Sequence, residues 1–224
     1  MVLHRSPQFA DGAVATAPPQ SEGAGFRPHH RCVTFVGATL CGMEWDEWAM
    51  VRALLGPHRR VLEMGARFGT TSCVIASVLN NSGRLVSVEP DQSVHHSLLA
   101  NRDSHHCRFD VVAGTVGMDA AVSVLRVHPK LGGYGTLTSA ASSSNKTVGP
   151  LVDNLPIAEL ERQAGYQFDT LLLDCEGCIQ NVLGHAEGVA FLERLDLLLI
   201  EEDATPATPC ASKATISRLG TRRA

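Results

Sequence analysis

Nowhere does this chain hold an apolar run near the ~20 residues that a bilayer-crossing helix requires, so no membrane association is expected. Its N-terminus has no continuous apolar stretch of the kind a secretory signal needs. It has no surplus of basic residues either: the net charge is −4, with no sign of a nucleic-acid or other polyanion partner. Framework cysteine spacing is missing as well. Seven cysteines stand at 32, 41, 73, 107, 175, 178 and 210, and a chain of 224 residues can build a core without disulfide staples. Reduced thiols and a cytoplasmic location are therefore expected. Residues 1–30 are rich in Ala and Pro, so organellar targeting stays open, although Asp11 and Glu22 weigh against it. Paired histidines at 29–30, 95–96 and 105–106 do not make a metal site, because adjacent side chains diverge and no Cys or carboxylate stands at ligand spacing.

What is present reads as one α/β domain. Residues 1–30 show no hydrophobic period and are expected to be a disordered leader. Within 31–58 the positions Trp45, Trp48, Val51 and Leu55 predict a helix that Gly56-Pro57 ends, a cover for a ligand site or a sheet edge. From 59 to 204 strands alternate with helices, the pattern of a doubly wound parallel sheet. Its Gly/Ser-rich stretch 129–150 is expected to be an irregular loop, a candidate lid over a substrate. Residues 205–224 are expected to be a disordered tail.

The chemistry concentrates between Arg60 and Pro90. Val61-Leu62 begins a strand, Glu63 follows, and Gly65 and Gly69 bracket a turn with Ala66 and Arg67 between them. Glycine suits such a turn, since it tolerates φ > 0 and lets a ligand reach the backbone. Thr70, Thr71 and Ser72 offer hydroxyls to cap the helix that follows. The next strand delivers Glu89 to its carboxyl end, which a right-handed βαβ unit places beside the turn, where a carboxylate accepts ribose hydroxyls. A dinucleotide site wants Gly-x-Gly-x-x-Gly, but position 67 is Arg and position 70 is Thr. An acid two residues before the first glycine disfavours a pyrophosphate and suits the cationic amino-acid end of S-adenosylmethionine. Ala113, at the end of a third strand, is a candidate shelf for adenine. After the strand 168–173 come Asp174 and Glu176, candidate general bases in the ligand crevice, with His185 behind them.

The segments Leu-Glu-Met-Gly-Ala-Arg-Phe-Gly, Val-Ser-Val-Glu-Pro, Phe-Asp-Thr-Leu-Leu-Leu-Asp-Cys-Glu-Gly and Leu-Leu-Leu-Ile-Glu give residues 60–202 a resemblance to the FkbM-like methyltransferases. That resemblance implies a class I methyltransferase (Rossmann-like) fold, S-adenosylmethionine as donor and a hydroxyl of a small molecule or glycan as acceptor. By position, Glu63, Gly65 and Gly69 match the family's cofactor turn, Glu89 its ribose acid, and Asp174 and Glu176 its fourth-strand motif. Arg67 departs from the small polar residue usual there. The sequence beyond Asp203 is expected to lack the last helix and antiparallel strands of the full fold. Three other readings remain: a methyltransferase-fold binding protein without turnover, a nicotinamide-dependent oxidoreductase, and a thiol-redox protein built on Cys175-Glu-Gly-Cys178. Oligomeric state has no sequence signal.

Overall fold

The computed structural model of this protein describes residues 3–4, 34–35, 38–39, 45–117, 123–127, 136–140, 150–175 and 182–200. At its centre five parallel strands stand in the order β6-β5-β4-β12-β13. They are β4 (Val61–Met64), β5 (Leu85–Glu89), β6 (Asp110–Ala113), β12 (Thr170–Leu173) and β13 (Leu197–Ile200). Numbered along the chain the order is 3-2-1-4-5, that of a Rossmann-like doubly wound sheet. Among the described residues β13 is an edge strand.

Alternation along the strands sorts side chains onto two faces. Leu62, Met64, Val86, Val88, Leu171 and Leu173 form one core with Ile157 and Leu160 of α4 (Ile157–Ala164) and Phe191 and Leu192 of α5 (Ala186–Arg194). Val61, Leu85, Val111 and Leu172 form the other with Trp48 and Val51 of α1 (Trp45–Leu54), Val74 and Ile75 of α2 (Thr70–Val78), and Leu98 of α3 (His95–Ser104). Ser87 and Glu89 follow Leu85 at period two, and Glu63 follows Val61. All three polar residues therefore lie on the α1–α2–α3 face. No helix among the described residues is long and apolar enough to cross a membrane.

The structure differs from the sequence expectations in three places. The 1–30 leader is not wholly unstructured, because β1 (Leu3–His4) joins the main sheet antiparallel to β6, Leu3 opposite Val112 and His4 opposite Val111. A two-residue strand held by backbone pairing has no hydrophobic period to read, yet it satisfies edge groups of β6. Similarly, 31–58 carries a short hairpin, β2 (Thr34–Phe35) with β3 (Ala38–Thr39), besides its helix. Stretch 129–150 contains β9 (Thr136–Ala140), antiparallel to β8 (Ser123–Val127), with β10 (Leu151–Val152) on the far side of β8. Its threonines fit a pleated strand, and the flanking Gly and Ser hid them. The short β7 (Thr115–Val116) pairs in parallel with β11 (Asn154–Leu155). The tail 205–224 lies outside the described residues.

The cysteines give the largest correction. Cys73 and Cys107 form a disulfide with Cα atoms 5.3 Å apart, and Cys175 is disulfide-bonded as well. Reduced thiols are thus overturned at Cys73, Cys107 and Cys175, and with them the ground for expecting a reducing compartment. Cys73 lies in the first turns of α2 and Cys107 in the lead-in to β6, so the bond clips the helix that leaves the glycine turn to the neighbouring βα unit. A cross-link over 34 residues stabilises by about 3–4 kcal/mol on loop-entropy grounds. Cys73→Ser is expected to lower Tm by ~10 °C, and dithiothreitol, which also reduces the Cys175 bond, should lower that of the wild type at least as far; a melting curve unmoved by either would contradict a structural role.

Candidate functional site

The turn between β4 and α2 is built by the backbone. The N–H groups of Gly65 and Ala66 both donate to the Val88 carbonyl of β5 (3.0 and 3.1 Å), and the Gly69 N–H donates to the Ala66 carbonyl (2.7 Å). Three residues take left-handed φ: Gly65 (99°), Arg67 (44°) and Gly69 (78°). The glycines turn out to serve the protein's own packing. A Cβ on Gly65 would lie 1.7 Å from the Asp174 carbonyl oxygen, and one on Gly69 would lie 2.7 Å from Leu98 Cδ1. A ligand's approach is expected there from sequence, but the approaching groups are the end of β12 and helix α3.

Helix α2 begins at Gly69 with no side-chain cap, so Thr70, Thr71 and Ser72 do not cap it as expected. Two of their hydroxyls turn elsewhere. Thr71 donates to Glu47 Oε2 (2.7 Å) and accepts from the Trp48 indole N–H (3.0 Å). That ties α1 to the first turn of α2. Ser72 donates to Glu63 Oε2 at 2.5 Å, and Ser87 donates to the same oxygen at 2.5 Å. Glu63 is fully buried, between its strand, β5 and the first turn of α2, where the helix dipole favours an acid. Its carboxyl braces the turn from below and has no surface facing the crevice.

Glu89 ends β5 and is itself buried. Glu63 is aligned with Ser87 on the adjacent parallel strand, so Glu89, two residues on, is its diagonal neighbour on the same face. One Glu89 oxygen accepts the Arg67 N–H (2.8 Å) and the other the Asp91 N–H (2.7 Å). Each oxygen thus keeps a lone pair. Only 2% of Glu89 is exposed. Burial pushes its carboxyl up to about 7, against the lowering effect of the two N–H groups and the Arg67 charge. Asp91 goes the other way: burial would raise it, but hydrogen bonds from Ser93 and Arg67 outweigh that and hold it below the usual range. The Arg67 guanidinium meets Asp91 Oδ2 at 2.8 Å and lies over the Phe68 ring. His95, at the start of α3, donates from Nε2 to the Glu89 carbonyl (2.9 Å).

Two further strand ends lie beside these groups. Ala113 ends β6 directly opposite Glu89 and is half-buried, and the Gly114 N–H that follows donates to the Glu89 carbonyl. Asp174 leaves β12 with its N–H donating to the Met64 carbonyl (3.0 Å), so its backbone packs on Gly65. The structure therefore gathers Gly65, Ala66, Arg67, Gly69, Glu89, Ala113 and Asp174 at the carboxyl ends of β4, β5, β6 and β12, with Glu63 sealed beneath. Glu176 lies outside the described residues, and half-buried His185 stands just before α5. No cluster of three potential metal ligands occurs among the described residues. Sequence reading missed Ser87 and Asp91, and gave Ser72 a capping role in place of its bond to Glu63. A polar residue at period two from Glu89 in a strand buried on both faces was a usable signal for Ser87. Asp91 also carried one, since its carboxylate caps the next turn by accepting the Ser93 N–H (3.0 Å).

No protein-family model matches the chain, and no curated protein matches it. Among solved structures it is similar to the O-methyltransferase from Bacillus cereus in complex with SAH, at 15% identity and a TM-score of 0.38, over 67% of this chain and 51% of that one. It is also similar to a protein from Klebsiella pneumoniae assigned as an O-methyltransferase, at 13% identity and 0.41, over 80% and 66%. The chain thus spans about half to two thirds of their lengths. Likenesses at this level add nothing to the strand order, which by itself defines the fold.

Proposed function

We propose that the chain is an S-adenosylmethionine-dependent methyltransferase acting on a hydroxyl oxygen of a small molecule or glycan. The observation that carries this reading is Glu89, a buried carboxylate at the second strand's tip, anchored by two backbone N–H groups and keeping a lone pair on each oxygen. Ribose hydroxyls are the donors that such a pair of acceptors suits, at the place where doubly wound sheets bind nucleosides. Glu89 sets an acid at the strand end where a diphosphate would sit, with Glu63 sealed beneath the turn. A dinucleotide is disfavoured, and a nucleoside with a cationic end fits. The four segments quoted above support the finer FkbM-like assignment.

S-adenosylmethionine, when bound, supplies an electrophilic methyl. The chain's own residues would do the rest: Glu89 would hold the ribose and Ala113 the adenine, and Asp174 or Glu176 would take the proton from the acceptor hydroxyl. Alignment of acceptor and donor contributes much of the rate. The disulfides support folding where thiols oxidise, in place of the cytoplasm expected from sequence. Equilibrium dialysis with labelled S-adenosylmethionine tests the reading. One equivalent bound per chain and not displaced by NAD is the expected result; binding of NAD alone would refute it.

A further inference from the structure

Arg67 is anomalous on three independent counts. It is a non-glycine residue at φ 44°, a conformation that a branched, bulky chain adopts only where its surroundings enforce it. Its guanidinium is withdrawn from solvent, with 7% of the residue exposed, as is Asp91, its partner at 2.8 Å. And the two members of this ion pair are the same two residues whose backbone N–H groups hold the two oxygens of Glu89. A buried ion pair contributes little net stability unless its geometry is well satisfied. What this one does achieve is to lock residue 67 of the turn to residue 91 of the segment after β5, with Glu89 clasped between them.

We propose that Arg67 and Asp91 are positioning residues: their ion pair closes a backbone clasp that aims the Glu89 carboxylate into the crevice. This assigns Arg67 a role through Glu89 in place of the direct cofactor contact expected from its position in the turn. It rests on the reading of Glu89 as ribose acceptor. The charged and titratable groups around Glu89 are Arg67 in the turn, Asp91 after β5 and His95 at the start of α3, with Glu63 one strand away and engaged by Ser72 and Ser87. Of these only Arg67 places a permanent positive charge there, and it favours the ionised, hydroxyl-accepting form of Glu89.

Two readouts on the full chain test the proposal, one of which needs no cofactor. In carbon-13 NMR titrations of the carboxyl groups, Arg67→Met is expected to raise the Glu89 midpoint by about one pH unit, the scale on which a neighbouring opposite charge acts. Arg67→Lys, which keeps the charge, should leave it within a few tenths. In titrations with S-adenosylhomocysteine, Arg67→Met should weaken binding about tenfold at pH 7 and less at pH 9, where Glu89 is ionised in either protein. Asp91→Asn is the second variant, should Arg67→Met fail to fold; it keeps its N–H but releases the guanidinium, and should also weaken binding. An unmoved Glu89 midpoint, or a loss of affinity equal at every pH, would overturn the clasp while leaving the nucleoside site standing. A wild-type chain that titrates as described but binds no S-adenosylhomocysteine would overturn the proposed function and the clasp's purpose together.

Discussion

Gly65→Ala is expected to leave little folded protein. The new methyl carbon would lie 1.7 Å from the Asp174 carbonyl oxygen and 2.7 Å from its carbon, at a backbone φ of +99°. Neither obstacle yields easily. The carbonyl belongs to the chain leaving β12, whose N–H is already committed to the Met64 carbonyl, one residue before the glycine. Relief would require the two central strands to part at their carboxyl ends. The expected loss is more than about 4 kcal/mol, in the range reserved for backbone and core disruption. Gly83→Ala is the control, because φ is +74° there with nothing within 4 Å; it should cost only about 1–2 kcal/mol. Urea denaturation of both variants decides the matter. Equal losses would mean that the close approach of β12 to the turn is not as the structure has it.

The second large effect concerns Glu89. Glu89→Gln keeps one acceptor oxygen but turns an amide NH₂ toward a backbone N–H that formerly met a carboxylate. Donor then faces donor. Binding of S-adenosylhomocysteine is expected to fall about 100-fold or more, since hydrogen bonds to a charged group contribute roughly 1.5–3 kcal/mol each. The wild type should show a pH signature that the variant lacks. With the carboxyl pushed up to about 7, affinity should fall about tenfold per unit below pH 7 and level off above it. The stability sign is opposite. A folded-state pKa above the unfolded value of 4.5 means that the native chain holds its proton more tightly. Glu89 therefore favours folding at low pH, and this contribution is lost as pH rises toward about 7. Cofactor binding and fold stability should thus move in opposite directions between pH 5 and 7. Calorimetric titrations across that window, set beside urea midpoints at the same pH values, check both.

Much of the site was legible because its parts are local. Val61 to Glu89 is a strand, turn, helix and strand whose periodicity and glycines identify the unit, and its right-handed connection puts both acids at one turn. The period-two rule even places Glu63 and Glu89 on one face, since Val61 and Leu85 share it. What sequence could not show was partnership. Glu63 and Glu89 are both buried, yet one is engaged by two serine hydroxyls and the other by two backbone N–H groups. Nor do letters distinguish a glycine that admits a ligand from one that admits another strand, as Gly65 does. Long-range pairings were the other blind spot. Leu3–His4 reaches β6 across more than a hundred residues with no pattern of its own, and Cys73 finds Cys107 only because α2 and the β6 lead-in are neighbours in the folded sheet.

The central claim is that Glu89 receives a ribose, and a crystal structure of the chain with S-adenosylhomocysteine tests it most directly. The expected map has both ribose hydroxyls within about 2.5–3.0 Å of the Glu89 carboxylate, with the Arg67 and Asp91 N–H groups still behind it. A nucleoside bound elsewhere, or in this crevice with its ribose turned away from Glu89, would contradict the claim.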